Sequence, residues 1–97
     1  MYSDSYAYFR FSNLEQVDFD NCLLQNTDFE ASIFSKVGFD FSNLQQSQMS
    51  GTKLKGIDLS NADIEGLSCR IEDLYGTIVS SLQAISLSKK IGLIIKE

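Results

Sequence analysis

The chain has 97 residues, 43% of them hydrophobic and 22% charged, which is typical of one folded domain. Its 13 acidic and 8 basic residues give a net charge of −5, which argues against direct binding of DNA or RNA. No apolar run approaches the roughly 20 residues that cross a bilayer, and the first residues lack the basic start of a signal peptide. We therefore expect a cytoplasmic protein with no membrane segment.

The residue types needed for most catalytic and metal sites are missing. The sequence contains no histidine, and its two cysteines, Cys22 and Cys69, lie far apart with no CxxC pair. It therefore predicts no zinc site, no disulfide framework, no cofactor and no histidine-based acid–base catalysis. Neighbouring acids such as Asp18 and Asp20 are interpreted as solvated turn residues, and we expect no enzymatic activity.

From residue 7 to residue 78, apolar residues recur at every fifth position, a period that fits neither a helix nor a simple strand. The fourteen positions are Phe9, Leu14, Phe19, Leu24, Phe29, Phe34, Phe39, Leu44, Met49, Leu54, Leu59, Ile64, Cys69 and Leu74. Two positions before each of them the residue is mostly small or β-branched. Between the two there is often Asp or Asn, whose side chain favours turns. The pattern indicates five-residue sides that each end in a corner.

This pattern resembles the pentapeptide-repeat family, whose unit is a small residue, then Asp or Asn, then Leu or Phe, then two variable residues. Among the closest matches are Ser42-Asn43-Leu44, Ile57-Asp58-Leu59 and Ala62-Asp63-Ile64. The resemblance implies an all-β fold, a right-handed quadrilateral β-helix in which four units make one coil. We assign residues 1–79 to about three and a half coils, and residues 80–97 to a C-terminal helix and strand that cap them.

If four units make a coil, residues 20 apart stack inside it. The predicted core ladders are Phe19, Phe39 and Leu59 on one face, and Leu24, Leu44 and Ile64 on the next. Stacked apolar residues of similar size pack without voids, so most of the stability is expected here. Leu67 and Glu72 are too large or too polar for the small inward position, and we expect the coil to loosen or shift register in its last turn.

The five-residue rhythm stops after Val79. Ser80 to Gln83 has the form of a capping box, and Ala84, Leu87 and Ile91 follow at helical spacing. Lys89 and Lys90 suit the C-terminal end of a short amphipathic helix, and Leu93-Ile94-Ile95 predicts a brief strand beyond it.

This ending resembles that of the quinolone-resistance pentapeptide proteins, the Qnr and Mfp groups. The resemblance implies that the helix and strand form a two-fold contact between two copies of the chain, and similar endings occur in other pentapeptide proteins of unknown role. The expected dimer residues are Leu82, Ile85, Leu87, Ile91, Leu93, Ile94 and Ile95.

Charge is distributed unevenly over the four predicted faces. Two adjacent faces carry an acidic surface, which consists of Asp18, Asp20, Asp40, Asp58, Asp63 and Glu65. We expect the other two faces to be neutral. On one, Arg10 and Arg70 balance Asp28 and Glu30; on the other, Lys36, Lys53 and Lys55 balance Glu15, Glu72 and Asp73.

Two functions remain open from the sequence. The family resemblance implies a DNA mimic whose acidic surface binds a type II topoisomerase, DNA gyrase or topoisomerase IV, and protects it from quinolones. The alternative is a repeat scaffold that binds another protein, and an uninterrupted coil without the loops of some Qnr-type proteins favours that alternative. Outward apolar residues, namely Phe11, Ile33, Phe41 and Tyr75, are candidates for a protein contact.

Overall fold

The computed structural model describes residues 7–92. Two three-residue strands, β1 (Asn13–Glu15) and β2 (Ile33–Ser35), pair in parallel with Asn13 opposite Ile33. A 3-10 helix follows at Ile71–Leu74, and one α-helix, α1, spans Ser81–Lys90. Longer strands do not form within this range because each extended segment reaches a corner after a few residues.

Backbone pairing winds the chain into a β-helix-like coil of 20 residues per turn. Parallel bridges join residues 20 apart from one end to the other, as in Tyr8 with Asp28, Asn43 with Asp63, and Asp58 with Ile78. The period of five therefore gives four sides per coil, and the predicted register of 20 is confirmed. Successive coils are about 4.8 Å apart, the spacing of hydrogen-bonded strands.

Most corners are tight turns centred on the two variable residues of the unit. The N–H of Ser42 donates to the carbonyl of Phe39 at 3.2 Å, and the residue before Ser42 has a positive φ, as a type II turn requires. In the first half of the coil this left-handed position is never glycine; it is filled by Phe11, Gln16, Asn21, Asn26, Ala31, Lys36, Phe41 and Gln46. Glycine takes the position at Gly51 and Gly56, where φ is +84° and +78°.

Aspartate and asparagine support the turns as expected from the sequence. Asp28, Asn43 and Asp58 each accept a hydrogen bond from the backbone N–H two residues on, at 2.9 Å. These bonds occupy side chains that otherwise project into solvent, and they hold the backbone in the turn.

Phenylalanine rings fill the interior of the first two coils. Phe9 stacks on Phe29, and Phe19 stacks on Phe39, with ring centroids 5.1 and 5.5 Å apart. Rings on opposite sides meet edge to face, so Phe29 also contacts Phe19 and Phe39. Of the predicted core ladders, Phe39, Leu44 and Leu59 are fully buried, Leu24 and Ile64 are each 8% exposed, and Phe19 is half-buried.

Hydroxyl groups at the small inward positions connect one coil to the next. The Thr52 hydroxyl accepts the N–H of Ser32 at 3.0 Å and donates to the carbonyl of Phe29 at 2.6 Å. Ser32 makes the same pair of bonds one coil earlier on the same face, and Ser42 makes them on another face. Small size is therefore only part of the reason for serine and threonine here, because the hydroxyl also satisfies two backbone groups inside the core.

The last coil keeps its register at Leu67 and departs from it only in the 3-10 helix. Leu67 is fully buried and the register continues through it, because the N–H of Ser68 still donates to the carbonyl of Ser47 at 2.9 Å. A shift at Leu67 was therefore wrong. The departure is confined to the 3-10 helix, which leaves Glu72 exposed, and pairing resumes between Asp58 and Ile78.

Helix α1 closes the C-terminal end of the coil. The Ser80 hydroxyl accepts a hydrogen bond from the N–H of Gln83, and the side-chain oxygen of Gln83 accepts one from the N–H of Ser80. These two bonds complete the predicted capping box. The Gln83 amide also donates to the carbonyls of Leu59 and Ala62 at 2.6 and 2.8 Å. The Gln83 amide thus makes the contact with backbone carbonyls that a serine or threonine hydroxyl makes between earlier coils. At the other end of the helix, the Lys90 ammonium donates to the carbonyl of Leu67.

Gln83→Glu is expected to weaken this docking while leaving the capping box intact. The carboxylate still accepts the N–H of Ser80, but it has no hydrogen to donate and faces the carbonyls of Leu59 and Ala62. We expect the free energy of unfolding to fall by about 2 kcal/mol in urea titrations at neutral pH. Gln16→Glu adds the same charge at an exposed corner and is expected to change stability by less than about 0.5 kcal/mol. Equal losses in both variants would contradict the docking role.

Candidate functional site

The acidic surface extends along two adjacent sides of the coil. All six carboxylates are exposed, and none of them forms an ion pair with a described residue. By contrast, the two acids near Arg10 are paired with it: Asp28 at 3.2 Å and Glu30 at 2.6 Å. The acidic surface therefore presents negative charge that the described part of the molecule does not neutralise.

The six carboxylates of the acidic surface differ in the hydrogen bonds that they accept. Asp58 accepts the N–H and the hydroxyl of Ser60, and these bonds lower the pKa of its carboxyl group. Asp63 accepts the Gln45 amide at 2.7 Å. Asp18, Asp20 and Asp40 accept no side-chain hydrogen bond from a described residue, and are free to meet a partner.

Gly38 makes room for two members of the acidic surface. A Cβ atom at this position would lie 2.7 Å from Asp18 Oδ1 and 3.6 Å from Asp20 Oδ1. The two carboxylates thus approach the same stretch of bare backbone. Any larger residue here would push the Asp18 carboxylate away from its place.

The charges of the face expected to be neutral lie at different depths, because Lys36, Lys53 and Lys55 are exposed whereas Asp73 is buried. Asp73 is 1% exposed and forms an ion pair at 3.0 Å with Arg70, whose side chain is 53% exposed. The Asp73 carboxylate also accepts the N–H of Gly51 at 2.8 Å. Glu72 lies 3.8 Å from Arg70 as well. The reason is the 3-10 helix, which turns Asp73 inward. The three lysines form no ion pair with a described residue.

Asp73 provides a pH-dependent contact near the end of the coil. Burial acts to raise the pKa of this carboxyl group, but the hydrogen bonds from Arg70 and Gly51 and the charges of Arg70 and Lys53 together lower the pKa below its ordinary value. Its second oxygen, Oδ1, is buried and has no partner among the described residues.

Because the folded-state pKa of Asp73 is lowered, its ionised form stabilises the fold above the ordinary carboxyl pKa, and this contribution is lost as the pH falls through the folded-state value. We expect chemical unfolding curves of the wild-type protein to shift to lower denaturant below about pH 4. Asp73→Asn is expected to be less stable at neutral pH and to lose part of that acid dependence. Asp20→Asn, at an exposed and unpaired position, serves as the control. Identical pH profiles for the wild type and Asp73→Asn would contradict the assignment.

The expected dimer residues on and next to α1 differ in exposure. Leu82 is 78% exposed and Ile91 is 40% exposed, whereas Leu87 packs against the core and Ile85 is half-buried. An apolar groove of about 560 Å³ separates α1 from the 3-10 helix, and it is lined by Ile71, Leu74, Tyr75, Val79, Ala84, Leu87 and Ile91 among others. Leu93, Ile94 and Ile95 lie outside the described residues.

The described residues contain no group of three or more His, Cys, Asp or Glu side chains able to hold a metal ion. Burial raises the pKa of the Cys69 thiol, so it stays protonated at neutral pH and is a weak nucleophile. No helix within residues 7–92 has the length and apolarity that crossing a membrane requires. What the surface offers chemically is therefore charge and exposed apolar side chains, which are suited to binding.

A family model described as pentapeptide repeats matches eight copies in this chain, at residues 5–39 and 42–70. The match covers more than half of the sequence and falls on the same units that the 20-residue pairing defines. The chain belongs to the pentapeptide-repeat family. No curated protein matches this pentapeptide-repeat chain in sequence.

Solved structures similar to this pentapeptide-repeat protein include alr5209, a pentapeptide repeat protein from Nostoc Pcc 7120. It is 16% identical, with a TM-score of 0.44, and the match covers 77% of this chain and 86% of that one. Two structures of QnrB1, a plasmid-mediated fluoroquinolone resistance protein, are each 17% identical with a TM-score of 0.26. The matches cover 92% and 89% of this chain but only 45% and 43% of the QnrB1 chains.

Proposed function

We propose that this pentapeptide-repeat protein acts by binding another protein through its acidic surface, as a DNA mimic directed at a type II topoisomerase, and that it protects that enzyme from quinolones. In this proposal the coil is the right-handed quadrilateral β-helix of the family and comprises residues 1–79. Residues 80–97 form the dimerisation module. The acidic surface is the partner-binding site, and no catalytic step is involved.

One observation carries the proposal. Six exposed carboxylates lie on two adjacent sides of a rigid coil, and no described cation pairs with any of them. Unpaired charge of one sign on a rigid surface attracts a groove of the opposite sign, and it speeds association with that groove. A basic groove that normally holds DNA phosphates has the matching charge.

The test is a supercoiling assay with purified bacterial gyrase as this protein is added, with and without a fluoroquinolone. Relief of drug inhibition at low protein concentration, or inhibition of supercoiling without drug at higher concentration, is the expected result. No effect on gyrase or topoisomerase IV, from protein that circular dichroism shows to be folded, would reject this function.

The second candidate is a scaffold that binds a protein other than a topoisomerase. It is favoured by exposed apolar side chains that a DNA mimic does not need, since Phe11 and Tyr75 are each 76% exposed and Phe41 is 68% exposed. Under this alternative the supercoiling assay shows no effect, and substitution of the exposed aromatic residues weakens binding more than substitution of the carboxylates.

The proposed dimer rests on the exposure of Leu82 and Ile91. A second copy would cover these two side chains. Light scattering at micromolar concentration is expected to give twice the mass of one chain, and Leu82→Glu to reduce it to one. Ser81→Glu, also exposed and adjacent in the helix, is the control. A monomeric wild-type protein would rule out the dimer.

A further inference from the structure

The side of the coil that carries Lys36, Lys53 and Lys55 has a character opposite to that of the acidic surface. Lys53 and Lys55 are two residues apart in one coil, so both project outward, and Lys36 lies at the corner of the coil before. Ile33 precedes Lys53 by one coil, and Tyr75 follows Lys55 by one coil. We call these five residues the lysine face.

The lysines of this face are available to a partner. Within residues 7–92 none of the three forms an ion pair, whereas Arg10 and Arg70 are both engaged with carboxylates. Asp73 lies one coil from Lys53, and its carboxylate is buried against Arg70 and Gly51, where the charge of Lys53 still acts on it. Three exposed ammonium groups project from a surface two coils deep, and no described carboxylate lies within ion-pair distance of them.

Apolar surface accompanies this positive charge. Tyr75 is 76% exposed and Ile33 is 64% exposed. The Lys55 ammonium lies 5.7 Å from the centre of the Tyr75 ring, which holds the charge beside the aromatic face. A Cβ atom at the neighbouring corner, Gly56, would have no neighbour within 4 Å, so the backbone there is open to an approaching chain.

We propose that the lysine face binds a short, extended acidic segment of a partner protein that carries an apolar side chain among its carboxylates. The lysines attract the carboxylates of the segment by charge complementarity. The Ile33 and Tyr75 side chains provide apolar contact for the side chain that lies between those carboxylates. Long polyanions fit less well, because the rest of such a molecule would extend over the adjoining acidic surface, whose charge has the same sign. This proposal is independent of the topoisomerase function, which uses the other sides of the coil.

The experiment is a titration of isotope-labelled protein, followed by amide chemical shifts in NMR. The probe is a synthetic peptide in which one leucine is flanked on each side by two glutamates. At about 25 mM salt we expect shift changes centred on Ser35, Lys36, Lys53, Lys55 and Tyr75, and at about 300 mM salt binding at least roughly tenfold weaker. Lys53→Gln is expected to weaken binding roughly threefold, and Tyr75→Ala by a similar factor.

Lys89→Gln is the matched control, because it removes one exposed lysine from α1 and is expected to leave peptide binding unchanged. Several outcomes would overturn the proposal: no shift changes at millimolar peptide, changes spread over the whole surface, or equal weakening by Lys89→Gln. Stronger binding of the same face to a short DNA duplex or to phosphatidylglycerol vesicles would reject a protein segment as the occupant. Shifts on this face that depend on protein concentration alone would instead assign it to a second copy of the chain.

Discussion

Phe39→Ala is expected to lower the free energy of unfolding by about 3 to 5 kcal/mol. The Phe39 ring is fully buried, and it stacks on Phe19 while contacting Phe29 and Phe34 at centroid distances of 5.9 and 5.8 Å. Its removal leaves a cavity among rigid rings that the coil cannot close without moving its backbone. Urea or thermal unfolding followed by circular dichroism measures the loss.

Phe41→Ala provides a matched control two residues away in the same coil. Phe41 is 68% exposed at a corner, so its removal is expected to change the free energy of unfolding by less than about 0.5 kcal/mol. The contrast separates packing inside the coil from any general effect of losing a phenylalanine. Comparable losses in the two variants would contradict the alternation of inward and outward positions.

Reversal of charge on the acidic surface is expected to abolish the proposed effect on gyrase without unfolding the protein. Asp20→Lys combined with Asp40→Lys is the most informative variant, because neither carboxylate forms an ion pair or accepts a side-chain hydrogen bond from a described residue. Asp58 is less suitable, since its carboxylate accepts the N–H of Ser60 and supports a corner. The readout is the protein concentration needed to alter supercoiling, and we expect it to rise by at least roughly a hundredfold, as for loss of close charge pairs in protein complexes.

The control for this variant changes the same number of charges elsewhere. Glu15→Lys combined with Glu72→Lys alters two exposed acids outside the acidic surface and is expected to leave the effect on supercoiling unchanged. Thermal unfolding of both variants verifies that they fold. If both variants lose activity equally, net charge alone governs the interaction and the acidic surface is not a specific site.

Much of the coil could be predicted from the sequence because its repeat is short and its core is simple. The five-residue period alone locates the inward residues from Phe9 to Leu74, and the longer period of 20 gives the stacking of Phe19 on Phe39. The capping box at Ser80 similarly marks the start of α1. In each case a local pattern corresponds directly to a repeated backbone geometry.

The remaining features are contacts between side chains and backbone groups of neighbouring coils, which the repeat pattern does not specify. Asp73 occupies an outward position of its unit by count, and only the 3-10 helix brings it inward to Arg70 and the N–H of Gly51. The same turn separates the buried Asp73 from the exposed lysines of the lysine face. Bonds from Gln83 and from the Thr52 hydroxyl join residues more than 20 positions apart, and no sequence pattern marks them individually.

The uneven distribution of glycine among the corners implies that the coil begins to unfold at one end. Each left-handed residue other than glycine or asparagine costs roughly 1 to 2 kcal/mol, and six such residues lie between Phe11 and Gln46, whereas four of the later corners have glycine. Helix α1 additionally fastens the late coils through Gln83 and Lys90. Since each coil of a solenoid is held only by its neighbours, opening begins at the early coils and proceeds towards α1. Amide hydrogens such as those of Phe9 and Phe11 should then exchange with solvent well before that of Leu59.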